Sequence, residues 1–246
     1  MTLAGKRALV TGGGTGAGLA VARALASAGA EVWVAGRREG PLAAAAQEIG
    51  GRHVPCDVTS EEGVRAAFDA SGSCDIVVAN AGEATSGPLL KASLDDWDAM
   101  LAVNLTGTFL TFREGLRRMG PWGRLIAVAS TAGLRGYAYA APYAAAKHGV
   151  LGLVRSLALE TARKGVTVNA LCPGFLDTEM TDRSAATVAA RTGATAAEAR
   201  ARLAALSPQA RLVPPEEVAA AALWLCLPGS ESVNGAAIAL DGGASA

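Results

Sequence analysis

The chain has 246 residues, and its 22 Lys and Arg balance its 22 Asp and Glu. That neutrality argues against a nucleic-acid or anionic-membrane partner, because either would call for a basic face. Hydrophobic residues are 51% and charged residues 18%, which excludes a disordered or fibrous chain and allows a sizeable core.

The predicted elements alternate along the chain. "RALVTGG" at 7–13 reads as a strand, and "GLAVARALASAGA" at 18–30 as a helix closing at Gly29. "EVWVAGR" at 31–37 is a second strand, and "PLAAAAQEIG" at 41–50 a second helix stopped by Gly50. "HVPCDVT" at 53–59 is a third strand, followed by a helix from Ser60. "CDIVVANAG" at 74–82, "RLIAVAS" at 124–130 and "VTVNALCPG" at 166–174 are strands four to six, with "AAIALDGG" at 236–243 as a last one. Strands such as "IVVAN" are apolar on both sides, which fits a parallel sheet covered on both faces. The alternation predicts right-handed βαβ units. The expected fold is therefore α/β: a single doubly wound Rossmann-fold domain over 1–246, with a parallel sheet of about seven strands. The Ala- and Arg-rich stretch 182–208 interrupts the alternation. It reads as a helical insertion over one end of the sheet, spanning about 178–210 as a substrate lid.

No apolar run is long enough to span a bilayer, and "MTLAGKRALVTGG" lacks the charged and apolar regions of a signal peptide. Cys56, Cys74, Cys172 and Cys226 form no CxxC pair and no metal-ligand spacing with His53 or His148. They are expected to be buried thiols in a reducing cytoplasm, with no metal bound.

The first strand runs straight into "TGGGTGAG", Thr11 to Gly18, and then into a helix. Such a turn lets the backbone approach a pyrophosphate. The following helix N-terminus supplies free N–H groups and partial positive charge. The context predicts dinucleotide binding through Gly12, Gly14, Thr15, Gly16 and Gly18. At the end of the second strand, "VWVAGRREG" has Gly36 where a carboxylate would hold a ribose 2′-hydroxyl, and two arginines follow. A guanidinium matches phosphate with paired donors. Arg37 is thus the expected 2′-phosphate ligand, with Arg38 beside it. Glu39 nearby, and Thr15 in place of a second basic residue, weigh the other way. The predicted cofactor is NADP(H), preferred over NAD(H).

"APYAAAKHG" places Tyr143 and Lys147 one helical turn apart on one face. A solvated surface pair is the plain alternative. The chemical reading is a phenol whose pKa the ammonium lowers, making it a usable acid–base catalyst. Ser130, thirteen residues earlier, lies at the C-terminal end of the fifth strand, outside which ligands of open parallel sheets bind. His148 points away from Lys147 and is read as structural. Trp97 is read as core.

The glycine spacing at 12, 16 and 18, taken with "YAAAK", resembles the short-chain dehydrogenase/reductase family. "CDVT" at 56–59, "NAG" at 80–82, "VNLTGTF" at 103–109, "VASTAG" at 128–133 and "PGFLDT" at 173–178 continue the resemblance in order over essentially the whole chain. Its β-ketoacyl reductases of fatty-acid and aromatic-polyketide assembly look most similar. Ala127 and Ala17 depart from common members without removing a reacting group. The resemblance implies a catalytic set of Asn104, Ser130, Tyr143 and Lys147. Ser130 would stabilise the substrate oxygen, Lys147 would hold the nicotinamide ribose, and Asn104 would anchor a water relay. It further implies cofactor contacts at Asp57, Val58, Asn80, Ala81, Gly82, Pro173, Gly174, Leu176 and Thr178, together with Tyr143 and Lys147. For Asp57 an Asx-type turn is the rival reading, and for Asn80 and Gly82 a bare turn.

The expected activity is reduction of a ketone to a secondary alcohol, with Tyr143 as general acid. The expected substrate is a small-molecule carbonyl compound such as a β-ketoacyl thioester. Two alternatives are oxidation of a cyclic or aromatic secondary alcohol, and a non-catalytic dinucleotide sensor. Family members commonly assemble through the helices around 104–119 and 143–163 and through the C-terminal strand, so a homotetramer or homodimer is expected. Arg183, Arg191, Arg200 and Arg202 of the insertion could face an anionic substrate or simply solvate a helix.

Overall fold

The first β-branched run pairs in two directions at once, and that double pairing organises the molecule. The computed structural model describes residues 2–246. Strands β1 (Arg7–Thr11), β2 (Glu31–Gly36), β3 (Arg52–Pro55), β4 (Ile76–Ala79), β5 (Gly123–Val128), β6 (Val166–Pro173) and β7 (Ala237–Leu240) form one parallel sheet in the order β3-β2-β1-β4-β5-β6-β7. Leu9 of β1 lies beside Trp33 of β2 and Val77 of β4. Strand order therefore reverses between β1 and β4. That switch point opens a crevice outside the carboxyl ends of the strands.

Helices α1 (Gly16–Ser27), α2 (Glu39–Ile49) and α9 (Pro215–Trp224) lie on one face; α3 (Glu61–Ser71), α5 (Gly107–Arg118) and α6 (Ala141–Thr161) lie on the other. The first layer packs Ala17, Val21 and Leu25 of α1 and Ala219 and Ala222 of α9 on Val10, Val34, Val78 and Ile126. The second packs Phe68, Phe112 and Val154 on Leu9, Val77, Leu125 and Val168. Alanine lets these helices approach the sheet closely. All four cysteines are free and buried in the two layers. Among the described residues no helix is long and apolar enough to cross a membrane.

Polar devices set several boundaries more tightly than hydrophobicity does. The third strand stops at Pro55 rather than Thr59, because the Asp57 carboxylate accepts from the Thr59 N–H (2.9 Å) and hydroxyl (2.8 Å) and turns the chain. Ser60 then caps α3 by accepting from Gly63 N–H at 3.1 Å. The insertion is two helices, α7 (Glu179–Thr192) and α8 (Ala196–Ala204), broken at left-handed Gly193. A Thr195–Glu198 capping box restarts the chain. Between α4 (Leu94–Leu101) and α5 the chain makes a π-helical turn over Ala102–Thr106, which the sequence pattern did not anticipate. Trp97, expected in the core, is half-buried on α4 and belongs to neither core layer.

Candidate active site

A cleft of about 1060 Å³ opens at the carboxyl ends of the strands. Gly12, Gly14, Thr15, Gly16, Arg37, Arg38, Asp57, Val58, Asn80, Ala81 and Gly82 line one part of it. Asn104, Ser130, Tyr143, Lys147, Pro173, Gly174, Leu176 and Thr178 line the rest. Of the predicted site residues only Gly18 stays out. It sits beneath the turn, where an added Cβ would overlap the Gly12 carbonyl oxygen.

The glycine turn is held from β4. Asn80 donates its side-chain amide to the carbonyls of Thr11 (3.0 Å) and Gly12 (3.2 Å), while the N–H groups of Asn80 and Ala81 donate to Thr11 Oγ1 at 3.1 and 3.2 Å. Its Nδ2 therefore clips two strands together, and the backbone of Ala81 and Gly82 is what faces the cleft. Thr11, not singled out from the sequence, is the other half of this clip. The first turn of α1 has no side-chain cap and no acid, so its N–H groups remain available to an anion. These observations fit a dinucleotide diphosphate. At the end of β2 the guanidinium of Arg38 donates to Thr15 Oγ1 at 3.3 Å. Arg37 is exposed at the cleft and has no hydrogen-bond or ion-pair partner among the described residues. Asp57 titrates below the usual carboxylate range, first because of the Thr59 backbone donor, then its hydroxyl, with Arg37 adding attraction. One of its oxygens is thus committed to the Asx turn.

The second half of the site assembles at the far side of β5. Lys147 is buried, and its Nζ donates to the Val128 carbonyl at 3.0 Å. Burial without a carboxylate partner pushes its pKa down to about 8. The ammonium lies 5.6 Å from the Tyr143 ring centre. Tyr143 lies across the helix turn from it, as the spacing predicted. Its pKa, however, is raised rather than lowered: burial dominates, the Ser130 hydroxyl bond opposes it, and Cys172 adds to the rise. Desolvation disfavours the charged form of each group, which raises the phenol and lowers the ammonium. Ser130, just beyond β5, accepts from the Ala132 N–H at 3.1 Å, which leaves its own hydroxyl hydrogen to donate.

Asn104 is fully buried in the π-turn. Its Nδ2 donates to the carbonyls of Glu83 (2.9 Å) and Met100 (3.1 Å), and its Oδ1 accepts from Glu83 N–H at 3.3 Å. A Cβ on Gly82 would come within 2.7 Å of that Oδ1. Asn104 thus fixes the 82–83 backbone beside Lys147. His148 is structural: Nδ1 lies 2.9 Å from the Ala144 carbonyl oxygen.

Of the four arginines in the insertion, only Arg183 lines the cleft. Arg200 is paired with Asp177 and, at 3.1 Å, with Asp182. Arg191 donates to the Ser86 carbonyl at 3.0 Å. Arg202 lies outside the cleft, near Glu198. Two of the four, Arg191 and Arg200, are thus tied to the protein's own structure.

Comparison with known proteins agrees with this geometry. A family model described as "Enoyl-(Acyl carrier protein) reductase" matches residues 12–245. The chain is 36% identical to the 3-oxoacyl-[acyl-carrier-protein] reductase FabG of Aquifex aeolicus, covering 98% of each. It is 38% identical to the D-beta-hydroxybutyrate dehydrogenase of Cupriavidus necator, again covering 98% of each. The crystal structure of an actinorhodin polyketide ketoreductase variant with NADPH superimposes with a TM-score of 0.92 at 36% identity, covering 98% of this chain and 97% of that one.

Proposed function

The chain belongs to the short-chain dehydrogenase/reductase family, and we propose that it reduces the ketone of a β-ketoacyl thioester or similar β-keto compound to a secondary alcohol, using NADPH. The observation that carries this reading is the convergence of Ser130, Tyr143 and Lys147 on the cleft that also holds the glycine turn.

NADPH supplies a hydride when bound. The chain's own groups do the rest. The open N-terminus of α1 and the backbone of Gly14 to Gly16 would hold the diphosphate, and Arg37 would bind the 2′-phosphate with Arg38 beside it. Ala81, Gly82, Pro173, Gly174, Leu176 and Thr178 would wall the cofactor in, and Asp57 and Val58 would flank its adenine. Ser130 donates to the substrate carbonyl oxygen and stabilises charge as it forms there. Tyr143 delivers the proton to that oxygen. A phenol is protonated near neutrality, the form a reductase requires, and burial raises Tyr143 further in that direction. Lys147 uses one N–H on Val128 and retains two, enough to hold ribose hydroxyls and to favour phenolate in reverse. Asn104 acts by holding the 82–83 backbone. Its amide nitrogen is committed to the Glu83 and Met100 carbonyls, while Oδ1 accepts a single bond and keeps a lone pair for a relay water.

The insertion over 178–210 serves as the substrate lid, with Arg183 as its one cleft-facing cation. Phe109 and Leu159, exposed on α5 and α6, fit helix-to-helix assembly into a dimer or tetramer. Four buried thiols fit a reducing cytoplasm. The alternative, oxidation of a secondary alcohol, uses the same groups in reverse and is favoured by likeness to a hydroxybutyrate dehydrogenase. The test is NADPH consumption by purified protein with β-ketoacyl thioesters, cyclic ketones and hydroxysteroids, run in both directions with both nicotinamide cofactors. Ketone reduction faster than alcohol oxidation at neutral pH supports the reading; turnover confined to alcohol oxidation refutes it.

A further inference from the structure

The substrate half of the cleft is ringed by three segments that meet through two hydrogen bonds. Helix α7 begins at Thr178, whose methyl group lies 3.3 Å from the Cβ position of Gly16 in the glycine turn. Met180, Ser184 and Val188, one turn apart along α7, line the cleft. Arg191 continues that face. At about 1.5 Å per residue it stands about 20 Å along the helix from Thr178. Its guanidinium donates at 3.0 Å to the carbonyl of Ser86, which is itself a lining residue in the loop after β4. The next residue, Gly87, donates its N–H to the Tyr139 carbonyl at 2.7 Å. Tyr139 precedes Tyr143 by four residues and has φ +66°, a left-handed conformation uncommon for a non-glycine residue. A left-handed tyrosine whose carbonyl is held by a hydrogen bond indicates that the surroundings over-determine this loop.

The geometry points to Arg191 as a specificity-determining residue: as a crossbar from α7 to Ser86 it closes the far end of the substrate half of the cleft and limits the size of the carbonyl compound admitted. Helix α7, the 82–88 loop and the loop before α6 form a collar, and the Arg191 guanidinium is the link that joins lid to body. A small ketone fits inside the collar with the crossbar in place. A bulky one has to break the bond before its carbonyl reaches Ser130 and Tyr143, and so loses part of its binding energy. The crossbar acts at the rim and leaves the reacting groups untouched. This inference rests on the carbonyl-reducing role proposed above.

The test compares wild type with Arg191→Met, which keeps an unbranched chain and deletes the donors, and Arg191→Lys, which restores one donor. Ethyl acetoacetate is the small probe and 2-tetralone the bulky one, each with saturating NADPH. In Arg191→Met the ratio of kcat/KM for the bulky to the small ketone should rise about tenfold, through KM for the bulky one, while the small ketone changes less than about twofold. Arg191→Lys should fall between the two. Amide hydrogen exchange on the NADPH-bound proteins gives a readout independent of turnover: residues 84–87 and the last turn of α7 should exchange faster in Arg191→Met. An unchanged size ratio, equal gains for both ketones, or unchanged exchange would overturn the crossbar. Wild type that reduces neither ketone, nor any β-ketoacyl thioester, would instead overturn the catalytic reading, and exchange then decides the crossbar alone.

Discussion

Replacing Lys147 with methionine should abolish turnover and yet stabilise the cofactor-free protein. Lys147 is 4% exposed, lies against a backbone carbonyl and has no carboxylate to answer it. Its pKa falls from 10.5 to about 8, so the fold disfavours the charged form by about 3 kcal/mol. Methionine removes that cost with little change in volume. It leaves the Val128 carbonyl without its donor, which costs about 1 kcal/mol. The net gain at neutral pH is about 1–2 kcal/mol, or about 3–6 °C in Tm for a chain of this length. The pH dependence has a definite sign. The native state binds the proton less tightly than the unfolded state, so the wild-type deficit is full below about 8. It fades as pH rises from there toward 10.5, where both states are neutral. Thermal unfolding of both proteins at pH 7 and pH 9.5, without cofactor and at equal protein concentration, checks this. The gap should be widest at pH 7 and shrink at 9.5. A variant less stable than wild type at pH 7, or a gap independent of pH, would refute the claim that Lys147 is held against its own desolvation.

Tyr143→Phe should cut kcat by at least about a thousandfold while NADPH still binds, read by turnover and by cofactor fluorescence. Gly36→Asp combined with Arg37→Ser should move kcat/KM from NADPH toward NADH by about tenfold or more, since a charge-assisted phosphate contact contributes about 1.5–3 kcal/mol. A Cβ at Gly36 meets Leu42 side-chain atoms at 3.6 and 3.9 Å and Gly12 Cα at 4.0 Å, ordinary contacts that the fold should accept; wild type using both cofactors equally would show that Arg37 does not read the phosphate. Asn80→Ala removes both amide donors from the glycine turn and should lower stability by about 1–3 kcal/mol by denaturant unfolding, weakening NADPH binding as the turn loosens. Light scattering should find a mass at least twice the 24.6 kDa of one chain; a stable monomer would end the assembly proposal.

What was legible in the sequence is what local chemistry controls. The glycine turn, the Tyr–Lys turn of helix and the apolar runs of β1, β4 and β6 each state their structure within a few residues. The third and fourth strands were read too long because the run of side chains continues past the point where pairing stops. Asp57 ends one by bonding Thr59, and Asn80 ends the other by turning back to Thr11 and Gly12. The first is local, and the "CDVT" stretch contains it. The second joins residues 69 positions apart and has no local trace. The lid arginines show the same limit: Arg200 and Arg191 look alike in sequence, but one closes on Asp177 and the other on a carbonyl 105 positions away.

The Tyr143–Lys147 pair marks the boundary between what spacing can say and what it cannot. Helical periodicity establishes that the two are neighbours. It does not establish the dielectric they share, which depends on how deeply α6 packs over β5 and β6. At a surface the ammonium would have dominated and lowered the phenol. Beneath Val128 and beside Cys172 desolvation disfavours the ionised form of each group, so the tyrosine rises and the lysine falls. The free protein therefore holds its proton on the phenol and its lysine near the point of losing charge. That arrangement suits an enzyme poised to give a proton. For the reverse reaction the phenol must ionise, which a positively charged nicotinamide, if bound beside it, would favour. The direction of proton movement is thus set jointly by burial, which the fold supplies, and by the redox state of the cofactor, which it does not.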